Sequence, residues 1–116
     1  MTTVYEQINN MERVVFVAGT KYKFEFFLYD ENSVALDASA ATLVWRLAIY
    51  GQPQNTVLEK NGTFIAANEM NVNLAASDTP SLSGNYIQQA EIVDGNGNEF
   101  VPGQGIVTIV PKIADI

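Results

Sequence analysis

Apolar and polar residues alternate with a period of two along most of this chain, the spacing of half-buried β-strands. In "TKYKFEFFLY", Tyr22, Phe24, Phe26 and Leu28 fall on one face and Lys21, Lys23 and Glu25 on the other. "ATLVWRLAIY" repeats the pattern, with Leu43, Trp45, Leu47 and Ile49 opposed to Val44, Arg46 and Ala48. "GQPQN" then predicts a break. "TVLEK" and "TFIAA" read as two short strands around Asn61-Gly62, a pair suited to a tight turn with positive φ. "MNVNLAA" turns Met70, Val72 and Leu74 inward, and "GNYIQQAEIVD" does the same with Tyr86, Ala90 and Ile92. "GIVTIVP" closes the series after "VPGQG", where Pro102, Gly103 and Gly105 permit a bulge or bend.

One stretch departs from this period. "SDTPSL", residues 77–82, predicts a short helical turn capped by Ser77 or Asp78, with Pro80 in its first turn. About seven or eight strands at near-regular spacing, with that single turn, predict an all-β chain folded as an immunoglobulin-like antiparallel β-sandwich. The expected core is Phe24, Phe26, Trp45, Leu47, Val72, Leu74, Tyr86 and Ile92, with the Tyr86 hydroxyl bonded to backbone just upstream as a tyrosine corner. Residues 1–12 leave two readings open: an edge strand folding back, or an arm that reaches a neighbouring subunit.

A length of 116 residues predicts one domain, able to bury about 65% of its unfolded surface. The N-terminus lacks the basic start and continuous apolar run of a secretory signal, so the expectation is a soluble chain made in the cytoplasm. No apolar stretch has membrane-spanning length.

Composition excludes much chemistry. The chain has no cysteine and no histidine, which removes thiol nucleophiles, Cys/His zinc sites, the Ser-His-Asp triad and imidazole acid–base steps. At a net charge of −7, with two arginines and four lysines, it lacks the basic surface that nucleic acid requires. Glu91, Asp94 and Glu99 are close in sequence, but they flank an exposed turn rather than a cleft where two acids could share glycosidic work. In "IVDGNGNEF", Asp94, Asn96 and Asn98 have the alternation of a calcium loop. Their flanks are strand-like, and Gly95 and Gly97 suit a hairpin connection. Asn61-Gly62-Thr63 likewise reads as a turn rather than a glycosylation acceptor. The expectation is a non-enzyme with no cofactor, no metal and no small-molecule substrate.

The motifs also fall in a recognisable order: "VAGTKYKFEFFLYDENSVALDAS", "ATLVWRL", "MNVNLAASDTPSLSGNY" and "AEIVDGNGNEFVPGQGIVTIVPKI". Over residues 14–112 this resembles the immunoglobulin-like domains of tailed bacteriophage and prophage particles. It is similar in particular to the N-terminal domain of phage baseplate upper proteins. Such domains have a Gly-containing turn after the first long strand, where this chain has "DENSVA". The resemblance implies a virion structural module in tail, baseplate, fibre or head decoration. Its partners would be other virion proteins or further copies of itself, with no catalytic residues to carry over.

Docking of that kind needs an outer sheet face. Val44, Arg46, Ala48, Tyr50, Ile87 and Val93 are the candidate interface residues, with Arg46 expected to pair with Glu91 on an adjacent strand. A module binding a host-surface carbohydrate or protein is the alternative. It would use exposed aromatics such as Tyr50 or Tyr5.

Overall fold

A computed structural model describes residues 2–5, 11, 13–29, 32–100 and 104–113, without the side chains of residues 2–5 and 100. Ten strands are present among them: β1 (Thr2–Tyr5), β2 (Val14–Val17), β3 (Tyr22–Tyr29), β4 (Thr42–Ile49), β5 (Gln52–Asn61), β6 (Thr63–Ala66), β7 (Glu69–Leu74), β8 (Gly84–Val93), β9 (Glu99–Phe100) and β10 (Gln104–Val110). They form two sheets. One has the order β1-β3-β7-β6; the other runs β2-β10-β8-β4-β5, with β9 also paired to β8. The inward residues of both sheets make one core, and Phe26, Leu28, Trp45, Leu47, Val72, Ala90, Ile92 and Val107 have no exposed surface. Phe24, Leu74 and Tyr86 are buried with them.

Four local expectations are corrected. "GQPQN" is not a break, because β5 starts at Gln52 and runs through Pro53. Proline is tolerated there because β5 is an edge strand, whose outward N–H groups have no ladder to complete. Asn61-Gly62 is not a hairpin either: β5 pairs with β4 in one sheet, and β6 pairs with β7 in the other. The Gly62 N–H donates to the Leu43 carbonyl at 2.7 Å as the chain crosses between sheets. A Cβ on Gly62 would lie 3.0 Å from Leu43 Cβ, so close approach and not positive φ requires glycine. Third, the helical turn is a 3-10 turn at Ala76–Asp78, one residue early. Neither Ser77 nor Asp78 is its N-cap; Asp78 instead reaches back to accept the Ala75 N–H at 2.7 Å. Lys60, 2.9 Å from that carboxylate, is the main cause holding Asp78 below its ordinary pKa.

Ile49 and Ala48 exchange their expected environments. Ile49 is 37% exposed, whereas Ala48, on the outward side, is only 8% exposed. Register shifts between β4 and β5 at Leu47/Ala48 and Ala48/Ile49 explain both, since surplus β5 residues fold over Ala48 while the strand end carries Ile49 off the core. A second 3-10 turn, Ala38–Ala40, starts within "VALDAS", where Asp37 accepts the Ser39 N–H at 3.0 Å as its cap. Thr2–Tyr5 is an edge strand parallel to β3. Residues 6–10, Asp30, Pro102 and Gly103 lie outside the described residues.

Two polar contacts fix the interior. The Tyr86 hydroxyl donates to the Ser83 carbonyl and accepts the Ser83 N–H, each at 3.1 Å, which is the expected tyrosine corner. The Trp45 indole N–H donates to Gln88 Oε1 at 2.8 Å, and neither residue has exposed surface. In antibody domains a disulfide packs on the equivalent tryptophan, and its second cysteine follows the corner tyrosine by two residues. Gln88 occupies that position. From the opposite sheet Phe24 packs on Trp45 at 4.9 Å between ring centroids, and Tyr22 and Phe16 extend the aromatic contacts to β2. Gln88 Nε2 has no acceptor among the described residues.

Two variants test these contacts. Gln88→Glu offers the indole an acceptor in either form, but only the protonated acid is neutral like glutamine; ionisation would bury an uncompensated charge, so burial raises its pKa above the unfolded value of about 4.3. Denaturant melts are expected to show near wild-type stability below pH 4, with the deficit growing by up to about 1.4 kcal/mol per pH unit above it. A constant deficit would show that the side chain reaches water. Gly62→Ala is expected to cost about 1–3 kcal/mol by crowding Leu43, while an unchanged melting temperature would refute the close approach.

A candidate docking face on the larger sheet

The outer face of β2-β10-β8-β4-β5 is built in rows across the strands, because in-register partners point to the same side. The middle row is apolar up to its β5 edge: Ile106 pairs with Ile87 and Ile87 with Ala48, and Ala48 pairs with Thr56. On one side lies a polar row in the order Gln104, Gln89, Arg46, Glu59. Gln104 Nε2 donates to Gln89 Oε1 at 3.1 Å. Arg46 Nε and Nη1 donate to Glu59 and Glu91 at 2.8 and 2.9 Å, so the expected Glu91 partner is joined by a second. Both carboxylates hold the guanidinium proton more firmly, Glu59 first. With about a third of the Arg46 side chain exposed, solvent limits the strength of these pairs.

The row on the other side is mixed: Val15, 57% exposed, pairs with Thr108, Arg13 Nη2 donates to Thr108 Oγ1 at 3.1 Å, and that hydroxyl donates to Asn85 Oδ1 at 2.9 Å. Tyr50, 56% exposed, continues this row, its backbone N–H bonded to the Asn85 carbonyl. Two hollows indent the face. One of ≈ 50 Å³ sits over Ala48, walled by Pro53 and Thr56 of the bulged β5 and by Arg46 and Ile87. A second of ≈ 370 Å³ lies among Tyr50, Ile87, Gln104, Gly105 and Ile106.

The structure therefore gathers Arg46, Ala48, Tyr50 and Ile87 in the centre of one face. Val44 and Val93, both half-buried, lie towards its far end. Sequence reasoning missed Ile106, Arg13 and Thr108 as parts of this face. Alternation within "GIVTIVP" gives Ile106 and Thr108 the side opposite Val107 and Ile109, but only the β8–β10 register sets them beside Ile87. The carboxylates Glu91, Asp94 and Glu99 do not form a shared site: Glu91 is bound to Arg46, and Asp94 is taken up within its own turn. Asp94 Oδ1 accepts the N–H groups of Asn96 and Asn98, each at 2.9 Å, and Asn98 is the first cause of its lowered pKa.

With this geometry in view, likeness to solved structures adds one point. A crystal structure of chicken TCR gives a TM-score of 0.56 at 10% identity, covering 100% of this chain and 58% of that chain. The fold is immunoglobulin-like. CopC from Methylosinus trichosporium OB3b (TM-score 0.49, 15% identity, 90% and 89% coverage) and murine CRIg (0.47, 8%, 87% and 92%) are weaker likenesses. No family model and no curated protein matches the chain. In the immunoglobulin-like scheme β5 of the larger sheet is an additional edge strand of the kind found in variable-type domains.

The turn chemistry gives a direct expectation. Asp94 already spends its oxygens on turn donors, so millimolar calcium is expected to leave the melting temperature unchanged. A calcium-dependent rise that Asp94→Asn abolishes would make this loop a cation site instead.

Proposed function

We propose that this chain is a non-catalytic protein-docking module, acting through the outer face of its larger sheet as a structural part of a tailed-phage particle. The observation that carries the docking reading is a broad sheet face on which Ile106, Ile87 and Ala48 lie between a hydrogen-bonded polar row and a mixed row that joins Arg13, Thr108 and Asn85 to the exposed Val15 and Tyr50. That arrangement matches the anatomy of protein interfaces, where an apolar centre is enclosed by satisfied polar groups. The residue types agree: both arginines and the exposed Tyr50 are on this face, and those types dominate binding energy at interfaces. The phage setting rests on the motif order over residues 14–112. In a particle with many copies, modest single contacts become effective through multivalency.

The test is incorporation. Particles purified from the strain that encodes this chain are expected to contain it in fixed stoichiometry, and a variant carrying Ile87→Glu and Ile106→Glu is expected to fold but be lost from them. Particles without the wild-type chain would overturn the phage setting. Normal incorporation of the variant would overturn the docking face. Retained binding of the wild-type face to purified host glycan alone would replace both with the carbohydrate-binding alternative.

A further inference from the structure

We propose that the partner of this face is a second copy of the same chain, docked about a two-fold axis that runs along β8. The inference rests on the docking reading above and commits it to one occupant. Charge is the first argument. The whole chain carries −7, yet the charges grouped on the central face cancel, Arg13 and Arg46 balancing Glu59 and Glu91. A second such face can therefore approach it without a net excess of like charge.

Shape is the second argument, and it follows from strand order. β8 is the middle strand of β2-β10-β8-β4-β5. A two-fold axis along it lays β10 of one copy over β4 of the other and keeps each row opposite itself. In the middle row Ile106 then stands over the hollow at Ala48, a large side chain against a small one, and Ile87 meets its own copy on the axis. In the row that holds Arg13 and Thr108, the guanidinium stands over the exposed ring of Tyr50, an arrangement suited to a cation–π contact. In the remaining row Gln104 stands over Arg46 and its carboxylates, where an amide can both donate and accept. Each contact occurs twice, as a self-complementary two-fold interface requires. An axis across the strands would instead set Ala48 over Ala48 and leave the hollow there empty.

The dimer has a signature in salt. Two molecules of −7 repel at long range, so screening is expected to tighten this association as ionic strength rises. A basic partner would show the reverse. Because the chain has no cysteine, Ile87→Cys creates a single thiol placed on the axis, and Val15→Cys creates one on exposed β2 away from it.

Sedimentation equilibrium of the full chain is expected to show a reversible monomer–dimer equilibrium that tightens with sodium chloride. Arg13→Glu and Ile106→Glu are each expected to weaken it by about tenfold or more, with thermal melts confirming that the monomers fold. On oxidation, Ile87→Cys is expected to form a disulfide dimer and Val15→Cys to remain monomeric. A chain that stays monomeric up to its solubility limit at high salt overturns the self-pairing, as does a dimer that crosslinks at Val15 and not at Ile87. If the wild type is monomeric but the Ile87→Glu, Ile106→Glu variant is still lost from particles, self-pairing fails while the docking face stands. If that variant is incorporated normally, the docking face itself fails.

Discussion

The hydrogen bond from the Trp45 indole to Gln88 is the contact on which the rest of this sandwich depends. An immunoglobulin-like domain of this size commonly holds its sheets together with a disulfide packed on tryptophan. This chain has no cysteine, and its two sheets must be registered by noncovalent means. Gln88 fixes the plane of the indole within one sheet, and Phe24 of the other sheet packs on that ring. The bond is strong because its surroundings are dry, and for the same reason the unpaired Gln88 Nε2 costs about 1–3 kcal/mol. That cost is offset by orientation: a tryptophan free to rotate would not present one face to Phe24. The tyrosine corner then anchors the start of β8, the strand that carries Gln88.

Fixing β8 also builds the outer face. Side chains alternate along a strand, so a register that buries Tyr86, Gln88, Ala90 and Ile92 must turn Ile87, Gln89 and Glu91 outward. Ile87 is thereby set between Ile106 and Ala48, and Glu91 within reach of Arg46. Core and face are two consequences of one register. The bulges in β5 add what alternation cannot supply, folding Pro53 and Thr56 over Ala48 to wall a hollow there.

Much of the fold was legible from period-two alternation, because β3, β4, β7 and β8 bury one face each and the sequence must mark it. The misreadings share a cause: they fall where long-range pairing decides and local propensity does not. Asn-Gly at 61–62 has the composition of a hairpin, but the backbone there is claimed by Leu43 of another strand. Pro53 reads as a breaker until β5 is known to be an edge. Gln88 is polar, and nothing local to it says that a tryptophan two strand positions away on β4 needs an acceptor. On the face, Arg46, Ala48, Tyr50 and Ile87 were visible as outward residues of two strands. Ile106 and Arg13 joined them only through the β8–β10 register and the parallel pairing of β2 with β10.

Trp45 is the sole tryptophan, so its indole proton gives one unambiguous signal by NMR. If its bond to Gln88 closes the core as argued, hydrogen exchange of that proton occurs only when the whole molecule unfolds, and its opening free energy equals that from denaturant melts. An indole proton that exchanges orders of magnitude faster than the neighbouring β4 and β8 amides would contradict the account.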